Sequence, residues 1–297
     1  MSYFSRFVFI TCFCGMALPL LAQTPKTYTD SKGKSIQLPL GELNFADEVI
    51  QFSMGNPMPQ TLLQANSKNA LNSPDFKNDV ETPYTYLSLG CGGSVTLYFA
   101  NNVLSDGLGN DLYVFEAGQN MEGVKVEVST NGILWYLADV AVATTMGIDI
   151  APIVKNPNDY FRYVRLTDTQ LNCDDFTPGA DIDALAAING SEVLSFNSKD
   201  MFFEGSLDFS EAAPNYLRSI ADAVTQHQQR TMLINIRHAP DESPALNNER
   251  GEAIKSFLLD YMDDPDRIKI KLIVDEKWVD AQKYNKYYTD IDVFFAK

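Results

Sequence analysis

Residues 201–258 read MFFEGSLDFSEAAPNYLRSIADAVTQHQQRTMLINIRHAPDESPALNNERGEAIKSFL. Here Ala213, Leu217, Ile220, Ala221 and Val224 recur at three- and four-residue spacing, which predicts a helix with one buried face. Ser210 is placed to cap it. Met232–Ile236 is an unbroken apolar run, as expected of a strand covered on both faces. A second helical stripe follows in Ile254, Phe257, Leu258 and Tyr261, with Asn247 as the expected N-cap and Asp264-Pro265 as the stop. Strand-like runs flank the stretch at Val193–Phe203, Ile268–Val274 and Ile291–Phe295. Residues 193–297 therefore read as an α/β unit of β-α-β-α-β order.

Upstream the period changes. Ser94–Phe99 and Val124–Val128 alternate apolar and polar residues, and Asn131-Gly132 separates the second run from Ile133–Leu137, a strong hairpin signal. Further short runs lie at Val49–Phe52, Leu112–Phe115, Tyr160–Thr167 and Asp183–Ile188. Many short strands with no helical period predict an all-β sandwich over residues 45–190, so the fold class is two domains, a sandwich followed by an α/β unit. Residues 23–44 are polar around Ser31-Lys32-Gly33-Lys34-Ser35 and read as a flexible segment. Residues 1–22 carry Arg6, an apolar run from Phe7 to Leu21, and Ala22, the pattern of a secretory signal peptide. The run is short for a membrane span, and no series of strands is left over for a transmembrane barrel. The expectation is an exported protein of the periplasm, or one held peripherally at the outer membrane or cell surface.

The chain carries 23 Lys and Arg against 39 Asp and Glu, a formal charge of −16. That balance excludes a nucleic-acid partner, which needs a basic surface. Acidic loops can instead collect a cation. Asp106, Asn110 and Asp111 share a glycine-bearing turn ahead of Glu116, and Asp174, Asp175, Asp181 and Asp183 form a second cluster. Such oxygens can converge on a structural calcium ion, with Asp106, Asn110, Asp111, Asp181 and Asp183 as ligands; Asp and Asn are equally ordinary turn residues, and both readings stand. Cys91 and Cys173, the two cysteines outside the leader, can pair in an oxidising compartment, two buried thiols being the other reading. There is no CxxC and no cysteine–histidine spacing for zinc. The only histidines are His227 and His238, and no nucleophile elbow, HExxH or phosphate loop is present. No catalytic chemistry is expected.

Two resemblances add to this reading. Val126–Leu137 (VEVSTNGILWYL) and Phe161–Asp168 (FRYVRLTD), with Ser88-Leu89-Gly90, Gly93–Leu97, Asp106-Gly107 and Gly109-Asn110-Asp111, resemble discoidin-type, galactose-binding-like jelly rolls. The resemblance implies a jelly-roll sandwich with a carbohydrate or protein ligand at its loops. Trp135 reads as a core aromatic rather than a sugar platform. Phe203-Glu204-Gly205-Ser206, Leu246–Gly251 (LNNERG) and Asp266-Arg267-Ile268, in that order between the strands and helices above, are similar to the OmpA-like C-terminal domain. That resemblance implies peptidoglycan as partner. Arg250 would grip the carboxylate of the diamino acid in the stem peptide, and Asp241, the nearest match to the family's aspartate, would pair with its ammonium. With Asn247 as cap, Arg250 falls at N3, beside first-turn N–H groups, which makes a sound carboxylate site; a surface arginine paired with a neighbouring acid is the alternative. The chain departs from the family in Arg237-His238-Ala239-Pro240-Asp241, in the short Glu242–Ala245 loop, and in Tyr288-Thr289-Asp290-Ile291-Asp292 where Asn-Arg-Arg is usual. The leading expectation is a non-catalytic envelope protein that docks on peptidoglycan. The alternative is a structural or adhesion protein whose OmpA-like domain serves protein contacts. A carbohydrate-active enzyme using the acidic loops comes third.

Overall fold

The computed structural model describes residues 24–77, 84–118, 122–141, 146–170, 173–174 and 176–296. The leader read at residues 1–22, and Asp175, lie outside them. The sandwich is built from β3 (Glu48–Ser53), β4 (Leu87–Ser88), β5 (Ser94–Tyr98), β7 (Leu112–Glu116), β8 (Val124–Ser129), β9 (Tyr136–Ala141), β10 (Gly147–Ile148), β12 (Tyr163–Asp168) and β13 (Asp181–Ala187). One sheet runs β3-β5-β12-β8-β9 and the other β10-β7-β13-β4. Strand alternation, shifted in β13 by a bulge, sends Val95, Leu97, Val126, Val128, Val164 and Leu166 of the first sheet into one core with Val114, Ile182 and Leu185 of the second. A disulfide joins Cys91 to Cys173, with the two Cα atoms 5.3 Å apart.

The segment read as flexible is a structural part of the sandwich. Its residues form a hairpin of β1 (Lys26–Thr29) and β2 (Ser35–Leu38) around Gly33. Tyr28, Ile36 and Leu38 are buried. Tyr28 packs edge-on against Phe45 at 4.8 Å, and Phe45 reaches Phe115 of β7 at 5.9 Å. The Tyr113 hydroxyl donates to Asp30 Oδ2 at 2.6 Å. Strand β7 is therefore buried on both faces, because the hairpin covers the side turned away from the β3-β5-β12-β8-β9 sheet.

The α/β unit follows the expected order. After β14 (Gly190–Phe196) come a short α1 (Ser198–Met201), α2 (Ala213–Gln226), β15 (Met232–His238), α3 (Pro244–Leu258), β16 (Ile268–Val274), α4 (Trp278–Tyr284) and β17 (Ile291–Phe295). Ser210 Oγ accepts the N–H groups of Ala212 and Ala213 at the start of α2, and the buried residues of α2 include the predicted stripe. In the sheet β15 and β16 are parallel, while β17 runs antiparallel to both β14 and β15. Met232, Ile234, Ile236, Val293 and Phe295 face α2 and α3. No helix of the described residues is long and apolar enough to cross a membrane.

The boundary expected between residues 190 and 193 lies inside β14. Strands β6 (Asn102–Ser105) and β11 (Tyr160–Phe161), from within the sandwich sequence, extend the α/β sheet to the order β11-β6-β14-β17-β15-β16. Gly190–Glu192 pair with β6, and Val193–Phe196 pair with β17. One strand thus belongs to both units, and no linker separates them. The opposite face of this sheet packs Leu233, Val193 and Phe294 against Val103 and Tyr160. The fold is an all-β jelly-roll sandwich followed by, and hydrogen-bonded to, an α/β unit.

Candidate functional site

Arg250 lies in α3, whose start differs from the sequence reading. Ser243 is the N-cap, its Oγ accepting the Ala245 N–H at 3.4 Å, and Pro244 opens the first turn. Serine followed by proline starts a helix well, since proline lacks the N–H that would go unpaired and its φ is already helical. Asn247 is therefore inside the helix. Arg250 sits well past the first turn, away from N3, so the free N–H groups of the helix end do not flank it.

What holds Arg250 is the Phe202–Phe209 segment. Its guanidinium lies 5.2 Å from the Phe202 ring centroid, and Nε donates to the Ser206 carbonyl at 3.2 Å. Phe202 is itself stacked on Phe209 at 5.1 Å. The residue is 7% exposed, and among the described residues only Nε of its guanidinium makes a hydrogen bond. One turn earlier on α3, buried Asn247 leaves Nδ2 without a partner. An arginine clamped through its ring-facing plane and Nε, beside an orphaned amide N–H, presents donors only, and donors suit a carboxylate. Asp241 is exposed in the turn after β15, and no ion pair or hydrogen bond joins it to Arg250 among the described residues. His238 ends β15 buried, its Nδ1 2.8 Å from the Ala239 carbonyl.

The acidic residues do not form one group. Asp106 and Asp111 come together with Asp149, each offering one carboxylate oxygen within 4.8 Å of the others. Three such oxygens fall short of the six to eight that calcium takes. Asp111 is fully buried and accepts N–H groups from Gly107, Ile150 and the Asn189 amide. Burial raises its carboxyl above the usual range, and these three donors oppose the rise. The Asn110 side chain turns to pack on Gly147. Asp183 accepts the N–H groups of Asp75 and Phe76, and burial pushes it up to about 7. Asp181 stands beside Glu116 instead. A β-bulge between Ile182 and Ala184 interrupts the alternation of β13, which separates the directions of Asp181 and Asp183. The five-residue calcium set is therefore replaced by an Asp106–Asp111–Asp149 cluster and by two carboxylates with separate duties.

Trp135 is not in the core. It is half-buried, with the Arg165 guanidinium 4.4 Å from its ring, and Arg165 Nε donates to Glu127 at 2.8 Å. The predicted hairpin exists, but β9 begins at Tyr136 and the turn is longer. Asn131 Oδ1 accepts the N–H groups of Ile133 and Leu134, while Asn131 Nδ2 donates to Asp275 at 2.9 Å and its carbonyl accepts from Asn285 at 2.9 Å. The turn is shaped for contact with the α/β unit.

That contact contains charged residues the sequence reading did not single out. Asp292 of β17 is fully buried between Arg162 and Arg237. Arg162 Nη1 reaches Asp292 Oδ1 at 3.1 Å, and its other donors bind the Phe99 and Ala100 carbonyls. Arg237 donates to Asp292 Oδ2 and to the Tyr160 hydroxyl, which in turn donates to Asp292. Ser195 and Thr289 hydroxyls complete the shell. Burial alone would raise the Asp292 carboxyl; Arg237 and Arg162 outweigh it and hold it at about 2. The available signal was a charge inside each of two apolar strands, Arg237 in β15 and Asp292 in β17, whereas Arg162, between β11 and β12, does not stand out beside Arg165.

The sequence matches no family model and no curated protein. Solved structures similar to part of the chain include a putative MotB-like protein from Desulfovibrio vulgaris, at 11% identity and TM-score 0.30 over 36% of this chain and 71% of that one. The OmpA-like domain of FopA1 from Francisella tularensis is similar at 9% identity and TM-score 0.26, over 36% and 72%. The C-terminal domain of a chitobiase from Bacteroides fragilis is similar at 14% identity and TM-score 0.32, over 52% and 97%.

Proposed function

We propose that the protein is an exported, non-catalytic binding protein of the cell envelope, and that its α/β unit docks a peptidoglycan stem-peptide carboxylate on Arg250 and Asn247. The observation that carries the reading is the Arg250 guanidinium, whose one hydrogen bond among the described residues runs through Nε, together with the unpartnered Asn247 Nδ2 one turn earlier on α3. Ser206 and Phe202 fix the guanidinium before any ligand arrives, which lowers the ordering cost of binding. Exposed Asp241, in the turn between β15 and α3, would be the partner of the ligand's ammonium.

Sedimentation of the full chain with purified sacculi tests this. The wild type co-sediments, and Arg250→Ala weakens the association roughly tenfold to hundredfold, as expected for lost charge-assisted hydrogen bonds. Arg250→Lys keeps the charge but not the planar fork, and recovers only part of the binding. Co-sedimentation of Arg250→Ala equal to wild type, or none by the wild type, overturns the proposal.

A further inference from the structure

A cleft of about 570 Å³ opens between the two units. Its sandwich wall carries Leu134 and Tyr136 from the β8–β9 region and Lys155 and Asp159 from the segment before β11. Its opposite wall is the edge strand β16 from Lys271 onward, continued by Glu276. Tyr160 and Arg237 form the back. The volume lies in the range of about 300–1,000 Å³ usual for small-molecule sites, and the junction of two units is a common location for one.

The chemistry of the lining selects among ligand classes. At the back, Arg237 is already engaged by Asp292 and the Tyr160 hydroxyl, so no unpaired charge there calls for a counter-ion. At the sides the charges are matched. Lys271 Nζ lies 3.5 Å from Asp159 Oδ1, and Asp159 Oδ2 accepts the N–H groups of Lys155 and Asn156. Exposed Lys155 and Glu276 add one charge of each sign, and the buried Asp275 carboxylate in the lining accepts from Asn131 Nδ2 and the Tyr288 hydroxyl. An anion entering the cleft meets Asp159 and Glu276, and a cation meets Lys155 and Lys271. An uncharged ligand with closely spaced hydroxyl donors and acceptors can use both signs. Apolar surface is interleaved with these groups. The half-buried Tyr136 ring is backed edge-on by Phe161 at 6.2 Å, with the Lys155 ammonium 5.9 Å from its centroid, and Leu134 is 38% exposed.

We propose that this cleft between the sandwich and the edge strand β16 binds an uncharged oligosaccharide. Its hydroxyls pair with Lys155, Asp159 and Lys271, and its apolar ring faces or acetamido methyls lie against Tyr136 and Leu134. The site shares no residue with the Arg250 face and does not depend on it.

Isothermal titration of the full chain with the tetrasaccharide of N-acetylglucosamine tests the assignment. Saturable binding is expected, at least tenfold weaker in Tyr136→Ala and in Lys155→Ala and unchanged in Arg250→Ala. Lys155 is exposed, so that variant removes a ligand contact without disturbing a core, and its unchanged melting curve verifies the fold. Raising the salt concentration leaves the affinity nearly constant, because no ligand charge is involved. Absence of saturable heat, equal affinity in Tyr136→Ala and Lys155→Ala, loss in Arg250→Ala, or a steep salt dependence would each overturn the proposal.

Discussion

Glu116 shows how one side chain can set a pH dependence. It is 3% exposed; Oε1 accepts the Glu122 N–H at 2.9 Å, and Oε2 has no hydrogen-bond partner among the described residues. Burial, reinforced by the charge of Asp181, pushes its carboxyl up to about 8 from an ordinary 4.5. The folded form thus keeps a proton that the unfolded chain releases. Stability is greatest below the unfolded value and falls as pH rises through the folded one, by up to ~1.4 kcal/mol per pH unit. Urea midpoints measured between these two values should therefore decline with pH in the wild type and decline less in Glu116→Gln; an unaltered slope refutes the assignment. Asp183, raised to about 7, contributes in the same direction, so the variant isolates only the Glu116 share. Asp292 behaves oppositely. Its carboxyl is depressed to about 2, so its stabilising contribution is full above the ordinary carboxylate range and is lost only in strong acid.

Among the elements, α3 lies close against its sheet at Gly251. A Cβ on Gly251 would stand 2.7 Å from Ile270 Cγ2 and 3.2 Å from Ile236 Cδ1. Gly251→Ala gains helix propensity but overpacks this contact, so a net loss of about 1–3 kcal/mol is expected in chemical denaturation; a stabilised variant would show that the helix has room to shift. The elements read correctly from sequence were those with a long, uniform period: the stripe of α2, the apolar run of β15, the alternation of β5 and β8. The misread ones turn on single residues. Ser243-Pro244 moved the start of α3 forward by a turn, which took Arg250 away from the helix end. Asn131 formed side-chain bonds to its own loop and to Asp275, which lengthened the hairpin turn. In β1 and β2 only Tyr28, Ile36 and Leu38 mark the buried face, and two four-residue strands are too short for alternation to stand out against polar neighbours. Trp135 was assigned by residue type, and the aromatic–arginine stack that places it at the surface joins a residue of the β8–β9 turn to Arg165 of β12. Of the α3 face proposed to hold a carboxylate, the sequence reading named Arg250; the Asn247 donor was hidden because a cap and a helix-interior residue look alike in one sequence.

At the scale of the whole molecule, the two units are bound by hydrogen bonds along β14 and by the charges around Asp292. These partners lie far apart in sequence, Arg162 by 130 residues and Arg237 by 55, so spacing could not reveal them. Removing the carboxylate strands two buried guanidiniums, a loss on the order of 3–5 kcal/mol. Wild type should lose near-UV and far-UV circular dichroism together, whereas Asp292→Ala should melt earlier and in two steps as the units separate. An undisturbed single transition at the wild-type temperature would mean the network is dispensable. The handover in β14 has a mechanical consequence. If the α/β unit is anchored while the sandwich is pulled, tension enters a strand whose first three residues are bonded to β6 and whose last four are bonded to β17. Force along that strand loads these bonds side by side in shear, instead of opening them in succession. The junction, where tethered proteins ordinarily stretch, is here as stiff as a strand in the middle of a sheet, and the sandwich would be held out from its anchor as a fixed lever arm.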